Sequence, residues 1–397
     1  QNKFTLNMNQ ISDFIIKDKR VFIRADLNVP MQSGIISSEN RIKASLPTIR
    51  YALKAGAKVM VTSHLGRPAE GHFTEKDSLA PVAEYLSKEL SQPVSLIKEW
   101  TQKSFTVESG ELVVLENCRF NVGEKANDEL LAKLYAKLTD VFVMDAFGTA
   151  HRKQASTYGI AEFCPKVCAG LLFKSELEAL EKVISEPKLP MVAIVGGSKV
   201  STKLTILDKL SDKVDQLILG GGIANTFLKA QGFNIGKSLC EDDFIPSAKQ
   251  IIHKLESRGA SLPSVTDVVC GKNLNEKEPA VIKSIHEVSE DDMIFDLGPK
   301  SMISISEKIK QAKTILWNGP IGVFEFKQFA SGTETLAHAV ANSMAFSLAG
   351  GGDTIAAIES YGMENNLSYV STAGGAFLEF VEGKKLPAIE ILERRTN

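Results

Sequence analysis

Hydrophobic and polar positions along this chain follow two rhythms. Short, continuously apolar runs recur, such as VFI at 21–23, VMVT at 59–62, VFVM at 141–144 and VAIV at 192–195. Runs of this kind read as strands buried on both faces. Between them lie stretches with helical spacing, including 39–54 (ENRIKASLPTIRYALK) and 127–138 (NDELLAKLYAKL). In the second, Leu130, Leu131, Leu134, Tyr135 and Leu138 are expected on one helix face. Strands are predicted near 20–26, 58–63, 94–97, 112–116 and 140–145. A second set is predicted near 191–196, 216–220, 265–270, 293–296, 314–317, 346–349 and 369–371. Strand and helix alternate almost from end to end, which predicts an α/β fold of mostly parallel sheets flanked by helices.

The 397 residues exceed one ordinary core and predict two domains of roughly 200 residues each. Between them, 174–189 (KSELEALEKVISEPKL) reads as a charged amphipathic helix stopped at Pro187 and Pro190, an inter-domain connector. A net charge of −2 argues against a nucleic-acid or membrane-surface protein, so clustered cations must be local devices. The five cysteines are odd in number, and CPKVC (164–168) lacks a zinc-ligand spacing, so reduced thiols in the cytoplasm are expected. No basic-then-apolar signal region and no transmembrane-length apolar run is visible.

The ends of the strands differ between the two halves. Early ones finish as VFIRADLN (21–28), VMVTSHLGR (59–67), VVLENCRF (113–120) and VFVMDAFGTAHR (141–152). Later ones finish as MVAIVGGSK (191–199), LILGGG (217–222), ILWNGP (315–320) and FSLAGGGD (346–353). Ligands of open parallel sheets bind beyond the carboxyl ends of the strands. The first half thus offers Arg41, His64, Arg67, Arg119, His151 and Arg152 to a small multiply charged anion, with Asp26 and Asn28 as acceptors for a hydroxyl.

In the second half, Gly196-Gly197 ends a strand, and a helix carrying Lys199 and Lys203 on one face is expected to follow. A polyphosphate at that helix N-terminus would relieve the repulsion between the lysines. GGGDT (350–354) repeats the grammar, with Asp353 either a helix cap or a carboxylate for Mg²⁺ beside phosphates. WNGPIGVFE (317–325) is a candidate wall for a nucleobase and sugar, with Glu325 accepting from ribose hydroxyls. GFNIGKS (232–238) is one residue short of a Walker A loop and is read as a loop. GGGIAN (220–225) lacks the last glycine of a dinucleotide fingerprint.

Taken in order, RVFIRADLNVP, the Arg41 helix, SHLGRP, ENCRF, DAFGTAHR, GGSKVSTK, LGGGIANTF, WNGPIGVFE, GGGDT and STAGGA resemble the phosphoglycerate kinase family over essentially the whole length. The resemblance implies two Rossmann-like lobes joined by an inter-lobe helix. The N-terminal lobe would span 1–173, the connector 174–189 and the nucleotide lobe 190–381, with 382–397 returning to the first lobe. It implies reversible phosphoryl transfer between MgATP and the carboxylate of 3-phosphoglycerate, giving MgADP and 1,3-bisphosphoglycerate. It also implies a monomer.

Residue by residue, Asp26, Leu27, Asn28, Arg41, His64, Leu65, Gly66, Arg67, Arg119 and Arg152 match the 3-phosphoglycerate site. Gly197, Lys199, Lys203, Gly221, Asn318, Pro320, Glu325, Gly351, Gly352, Asp353 and Thr354 match nucleotide contacts, with Asp353 the expected partner of Mg²⁺. Arg41, Lys199, Gly374 and Gly375 match the positions around the transferring phosphoryl group. One departure is Ala373 in STAGGA, where the family commonly has glycine. Rival readings are a kinase for another acceptor and a non-catalytic anion-binding module on the same fold.

Overall fold

The computed structural model describes residues 7–396, so residues 1–6 of the expected first lobe and Asn397 of the returning segment lie outside it. The chain divides into two compact units, one reaching Glu178 and including the residues from Lys384 onward, the other Ala179–Gly383. The helix Leu171–Ile184 carries the chain from the first into the second.

The first unit contains β1 (Arg20–Arg24), a hairpin of β2 (Met31–Gln32) and β3 (Ile35–Ile36), and β4 (Lys58–Thr62). It continues with β5 (Val94–Ile97), β6 (Leu112–Leu115), β7 (Val141–Met144) and β8 (Lys166–Ala169). Six of these form one sheet in the order β5-β6-β4-β1-β7-β8, parallel throughout. The strands lie between helix layers, which is why their sequences are continuously apolar rather than alternating. Val21 and Ile23 of β1 enter one core with Ile42 and Ile49 of the helix Asn40–Lys54. On the opposite face Phe22 packs against the rings of Trp100, Tyr135 and Phe142.

One expected helix face is corrected. The helix Glu129–Lys137 buries Ala132, Tyr135 and Ala136, while Leu130 is 77% exposed. Tyr135 sets the rotation, because its hydroxyl donates to buried Glu124 and accepts from Asn121. Leu130, five residues earlier, then lies about 140° around the helix and faces water. The strand β8 and the hairpin are additions that the pattern of apolar runs did not announce.

The second unit contains β9 (Met191–Gly196), β10 (Gln216–Gly220), β11 (Asp267–Gly271) and β12 (Val281–Ser284). β13 (Met293–Leu297), β14 (Thr314–Asn318), β15 (Phe346–Gly350) and β16 (Tyr369–Ser371) complete it. A five-stranded parallel sheet runs β10-β9-β14-β15-β16, and a three-stranded antiparallel sheet runs β12-β11-β13. The unpredicted β12 leaves Val281 and Ile282 exposed at a sheet edge, where no run of buried residues marks it.

The last helix, Pro387–Arg394, belongs to the first unit. The Ala388 amide donates to the Ala150 carbonyl at 3.0 Å. Arg395 donates to the carbonyls of Ala161, Glu162 and Cys164 at 2.7, 2.9 and 2.8 Å. Those carbonyls end the short helix Ile160–Phe163 and would otherwise lack donors.

Candidate active site

In the first unit the strand order reverses between β1 and β7, and the cations gather beyond the strand ends on that side. Asp26 follows β1 and is nearly buried; Arg41 Nη1 donates to both its oxygens, at 2.9 and 3.0 Å. Arg41 is the second residue of its helix, so the guanidinium sits where the macrodipole disfavours a cation. Asn28 Oδ1 accepts from the Gly66 amide at 2.9 Å, and the Leu27 amide donates to Ser63 Oγ at 2.8 Å. These bonds tie the loop after β1 to the loop after β4. Gly66 itself adopts φ +63 with the Asp77 carboxylate against it, so no side chain fits there.

Arg119 sits in the single turn Cys118–Phe120 and donates through Nη1 to the Gly66 carbonyl at 2.7 Å. Its Nε is buried without a partner. Burial first, and then Arg152, lower its pKa. The guanidinium groups of Arg67 and Arg152 make no hydrogen bond to the described residues, and Arg67 is exposed. His64 is 5% exposed, and burial, followed by Arg24, Arg119, Arg152 and Arg41, holds its pKa well below 6.5. Cations held this close with too few carboxylates create a local positive potential that attracts anions. The structure adds Arg24, which the sequence reading passed over. It is the last residue of β1 and fully buried, and a lone arginine ending an apolar run was the available signal.

In the second unit the strand order reverses between β9 and β14, and there the glycine loops meet. Lys199 and Lys203 do not share a helix face as expected. The helix begins at Leu204, with Lys203 at its cap position, a turn over 201–203 before it and Lys199 in the loop that leads to the turn. The turn is held from a distance, because Glu241 accepts from the Ser201 amide and hydroxyl at 2.9 and 2.6 Å. Lys199 is exposed, whereas Lys203 reaches inward to the Gly196 carbonyl at 2.5 Å and Asn318 Oδ1 at 2.7 Å. Burial pulls the Lys203 ammonium down to about 8, and the nearby Asp353 carboxylate acts in the opposite direction.

Asn318 completes the bridge by donating Nδ2 to the Gly350 carbonyl at 2.8 Å. The Asn318 side chain is thus a buried brace between β9, β14 and β15. Gly319 and Gly221 have φ of +104 and +65, and a Cβ on Gly196 or Gly220 would strike the Pro320 carbonyl. Backbone alone fits where these strands end.

Gly351 is the cap of the helix Gly352–Ser360 with φ 101, so Asp353 is the second helical residue rather than the cap. Asp353 is exposed, and its carboxylate takes no hydrogen bond from the described residues. Thr354 is fully buried, its hydroxyl accepting from the Gly319 amide at 2.7 Å, which makes it a brace of the loop. Glu325 is exposed beyond that loop. Gly374 and Gly375 open the helix Gly374–Val381, and Ala373 precedes it with its methyl fully buried at φ −95. Alanine is therefore accommodated without strain, on the inner side of the loop.

A family model described as phosphoglycerate kinase matches residues 11–384. The structure resembles that of phosphoglycerate kinase from Coxiella burnetii, with 52% identity and a TM-score of 0.93 over 98% of this chain and 100% of that one. It also resembles phosphoglycerate kinase from Pyrococcus horikoshii OT3, with 33% identity and a TM-score of 0.83 over 98% and 99% of the two chains.

Proposed function

The chain belongs to the phosphoglycerate kinase family, and on that premise we propose how its residues divide the work of the family's reaction. The reaction is reversible phosphoryl transfer between ATP and the carboxylate of 3-phosphoglycerate, giving ADP and 1,3-bisphosphoglycerate. In our reading, Asp26, Asn28, Arg41, His64, Arg67, Arg119 and Arg152 of the first unit hold 3-phosphoglycerate. Lys199, Lys203 and the main chain of Gly197, Gly221, Gly351 and Gly352 hold the nucleotide phosphates, with Pro320 and Glu325 toward the nucleoside. The single observation that carries this division is the contrast in means. Guanidinium groups cluster around His64 in one unit, and side-chain-free loops meet at Lys203 in the other.

The acceptor carboxylate titrates at about 4, so it is ionised at neutral pH and needs no general base. The barrier is repulsion between two anions, which positioning and charge neutralisation lower. Arg41 and Lys199 are assigned to the transferring phosphoryl group, with the amides of Gly374 and Gly375 beside it. Donor and acceptor sites lie on different units, so turnover requires the units to close on each other and exclude water from the acyl phosphate. Among the described residues no three or more His, Cys, Asp or Glu side chains form a metal cluster. A nucleotide-borne Mg²⁺ ordinarily takes one or two protein carboxylates, and Asp353 fits that need. Bound there, the ion would offset phosphate charge. Asp353→Ala should accordingly weaken nucleotide binding much more with Mg²⁺ than without it. Equal losses in calorimetry under both conditions would remove Asp353 from the metal site.

Lys203 makes the nucleotide site sensitive to pH. With its pKa at about 8, below the ordinary 10.5, it is charged at neutral pH and loses its proton first in the folded protein. The unfolded chain then holds more protons between those values, so stability of the free protein rises with pH across that window. Phosphate binding has the opposite slope, because it requires the ammonium. Nucleotide affinity should fall about tenfold per pH unit above about 8, with one proton taken up on binding. Calorimetry in two buffers of different ionisation enthalpy measures that uptake, and Lys203→Met should abolish it.

No described helix is long and apolar enough to cross a membrane. With five free cysteines, four of them buried, we read the protein as a monomer of the cytoplasm. The activity itself is tested by a coupled assay containing 3-phosphoglycerate, ATP and Mg²⁺, each omitted in turn. Turnover with acetate or glycerol in place of 3-phosphoglycerate would overturn the assignment of the acceptor.

A further inference from the structure

We propose that Arg24 is a positioning residue that fixes His64 as a neutral imidazole carrying its proton on Nε2, so that 3-phosphoglycerate meets a directed N–H donor there and not an additional cation. The proposal rests on the reading of His64 as part of the substrate site. Arg24 Nη2 lies 3.3 Å from His64 Nδ1. A guanidinium has donors only, so Nδ1 must present its lone pair, and in a neutral ring the proton is then on Nε2. Nε2 takes no hydrogen bond from the described residues and is left for a ligand.

Arg24 cannot swing away from this task. It is fully buried on β1, with Nη1 donating to the Ala25 carbonyl at 2.5 Å and Nε donating to Ser156 Oγ at 2.8 Å. Having accepted from Arg24, the Ser156 hydroxyl spends its own proton on Glu124 Oε1. Glu124 also accepts the Ser156 amide at 3.2 Å and, through Oε2, the Tyr135 hydroxyl at 2.9 Å. The arginine bonds have their direction forced, since a guanidinium only donates, to serine and to histidine; with Glu124 ionised, tyrosine and serine donate to its carboxylate. The series runs from Tyr135 on the helix Glu129–Lys137 to Arg24 at the end of β1 and on to His64.

The surroundings favour the same protonation state. The charged groups facing the ring are Arg24 from β1, Arg119 from the turn after β6, Arg152 from beyond β7 and Arg41 from the helix start. Glu124, behind Ser156, faces Arg24. Burial and these cations keep the ring uncharged through the physiological range. A neutral ring offers a donor whose strength does not change as pH passes through 6 to 8, where histidine ordinarily switches. Arg24 is a cation that need not touch the substrate to shape its site.

Long-range ¹⁵N–¹H NMR of the imidazole nitrogens in the uniformly labelled full chain tests this, with His64→Gln assigning the ring among the six histidines. The expected spectrum has a bare, pyridine-like Nδ1 and a protonated Nε2, unchanged from about pH 5.5 to about pH 8. Adding 3-phosphoglycerate should shift the Nε2 signal. In Arg24→Met the ring should mix tautomers, and the KM for 3-phosphoglycerate should rise about tenfold with kcat little changed, the scale of one lost hydrogen bond. Ser156→Ala keeps Arg24 but frees its Nε, and should show a smaller shift in the same sense if Arg24→Met fails to fold. A proton on Nδ1, or an imidazolium titrating in that pH range, would overturn the role of Arg24 even if 3-phosphoglycerate still perturbs the ring. The expected tautomer with no response to 3-phosphoglycerate would instead overturn the substrate-site reading of His64, and the donor role with it.

Discussion

Arg41→Ala should lower turnover by about 100-fold or more while the KM for 3-phosphoglycerate changes far less, as expected when one preorganised charge stabiliser is removed. Arg41 stands at the second position of the helix Asn40–Lys54, where the helix dipole opposes a positive charge. Asp26, with a side chain 7% exposed, compensates by accepting from Arg41 Nη1 on both of its oxygens. The other guanidinium nitrogens remain available for phosphoryl oxygens. A cation kept at an unfavourable place, by a carboxylate that engages one nitrogen, is suited to charge that develops during transfer. Removing it also leaves the Asp26 carboxylate buried without its ion pair, which destabilises the fold. The double change Asp26→Asn with Arg41→Ala separates that effect, and Arg41→Lys, which keeps charge without the planar fork, should recover only part of the rate. Steady-state kinetics that showed unchanged kcat and a raised KM would assign Arg41 to ground-state binding alone.

Most of the architecture was legible because the two large sheets are parallel and covered by helices. Buried strands of that kind announce themselves as unbroken apolar runs, and β1, β4, β7 and β9 each do so. Two edge strands gave no such signal: β12 exposes Val281 and Ile282, and β8 begins with exposed Lys166. Within the candidate site, the placement of residues beyond strand ends was visible, since position after a strand is a local property. Lys203 was misread because its turn is set by Glu241, 40 residues further along the chain from Ser201. Spacing of four suggested a helix face, yet the same lysine turns inward to Asn318, 115 residues away. The bracing bonds of Thr354 and Asn318 were out of sight for the same reason. Both carry the family pattern, but their side chains brace the loops, and only the folded chain shows which polar atoms are already engaged. Arg24 escaped notice for the related reason that its partners, His64 and Ser156, are 40 and 132 residues distant.

Gly319→Ala should damage the second unit alone, lowering its stability by about 3 kcal/mol or more and weakening nucleotide binding. Gly319 has φ +104, where a side chain is strained, and its Cβ would collide with the Gly196 main chain. The collision is between backbones, at the point where β9 and β14 part, so no rotamer change relieves it. Moving that loop would displace Asn318 and with it the bond that positions Lys203. A natural reporter is in place, because Trp317 Nε1 donates to the Gly319 carbonyl at 2.9 Å and the other tryptophan, Trp100, belongs to the first unit. In a Trp100→Phe background, Trp317 emission follows urea unfolding of the second unit, and calorimetry follows 3-phosphoglycerate binding to the first. The expected result is an early Trp317 transition with unaltered 3-phosphoglycerate affinity. Gly374→Ala is the control, since a Cβ there meets nothing within 4 Å and should leave the transition in place. An unchanged midpoint and normal ATP binding in Gly319→Ala would mean that the loops are not held at backbone contact, and the phosphate site could then not depend on bare main chain at that position.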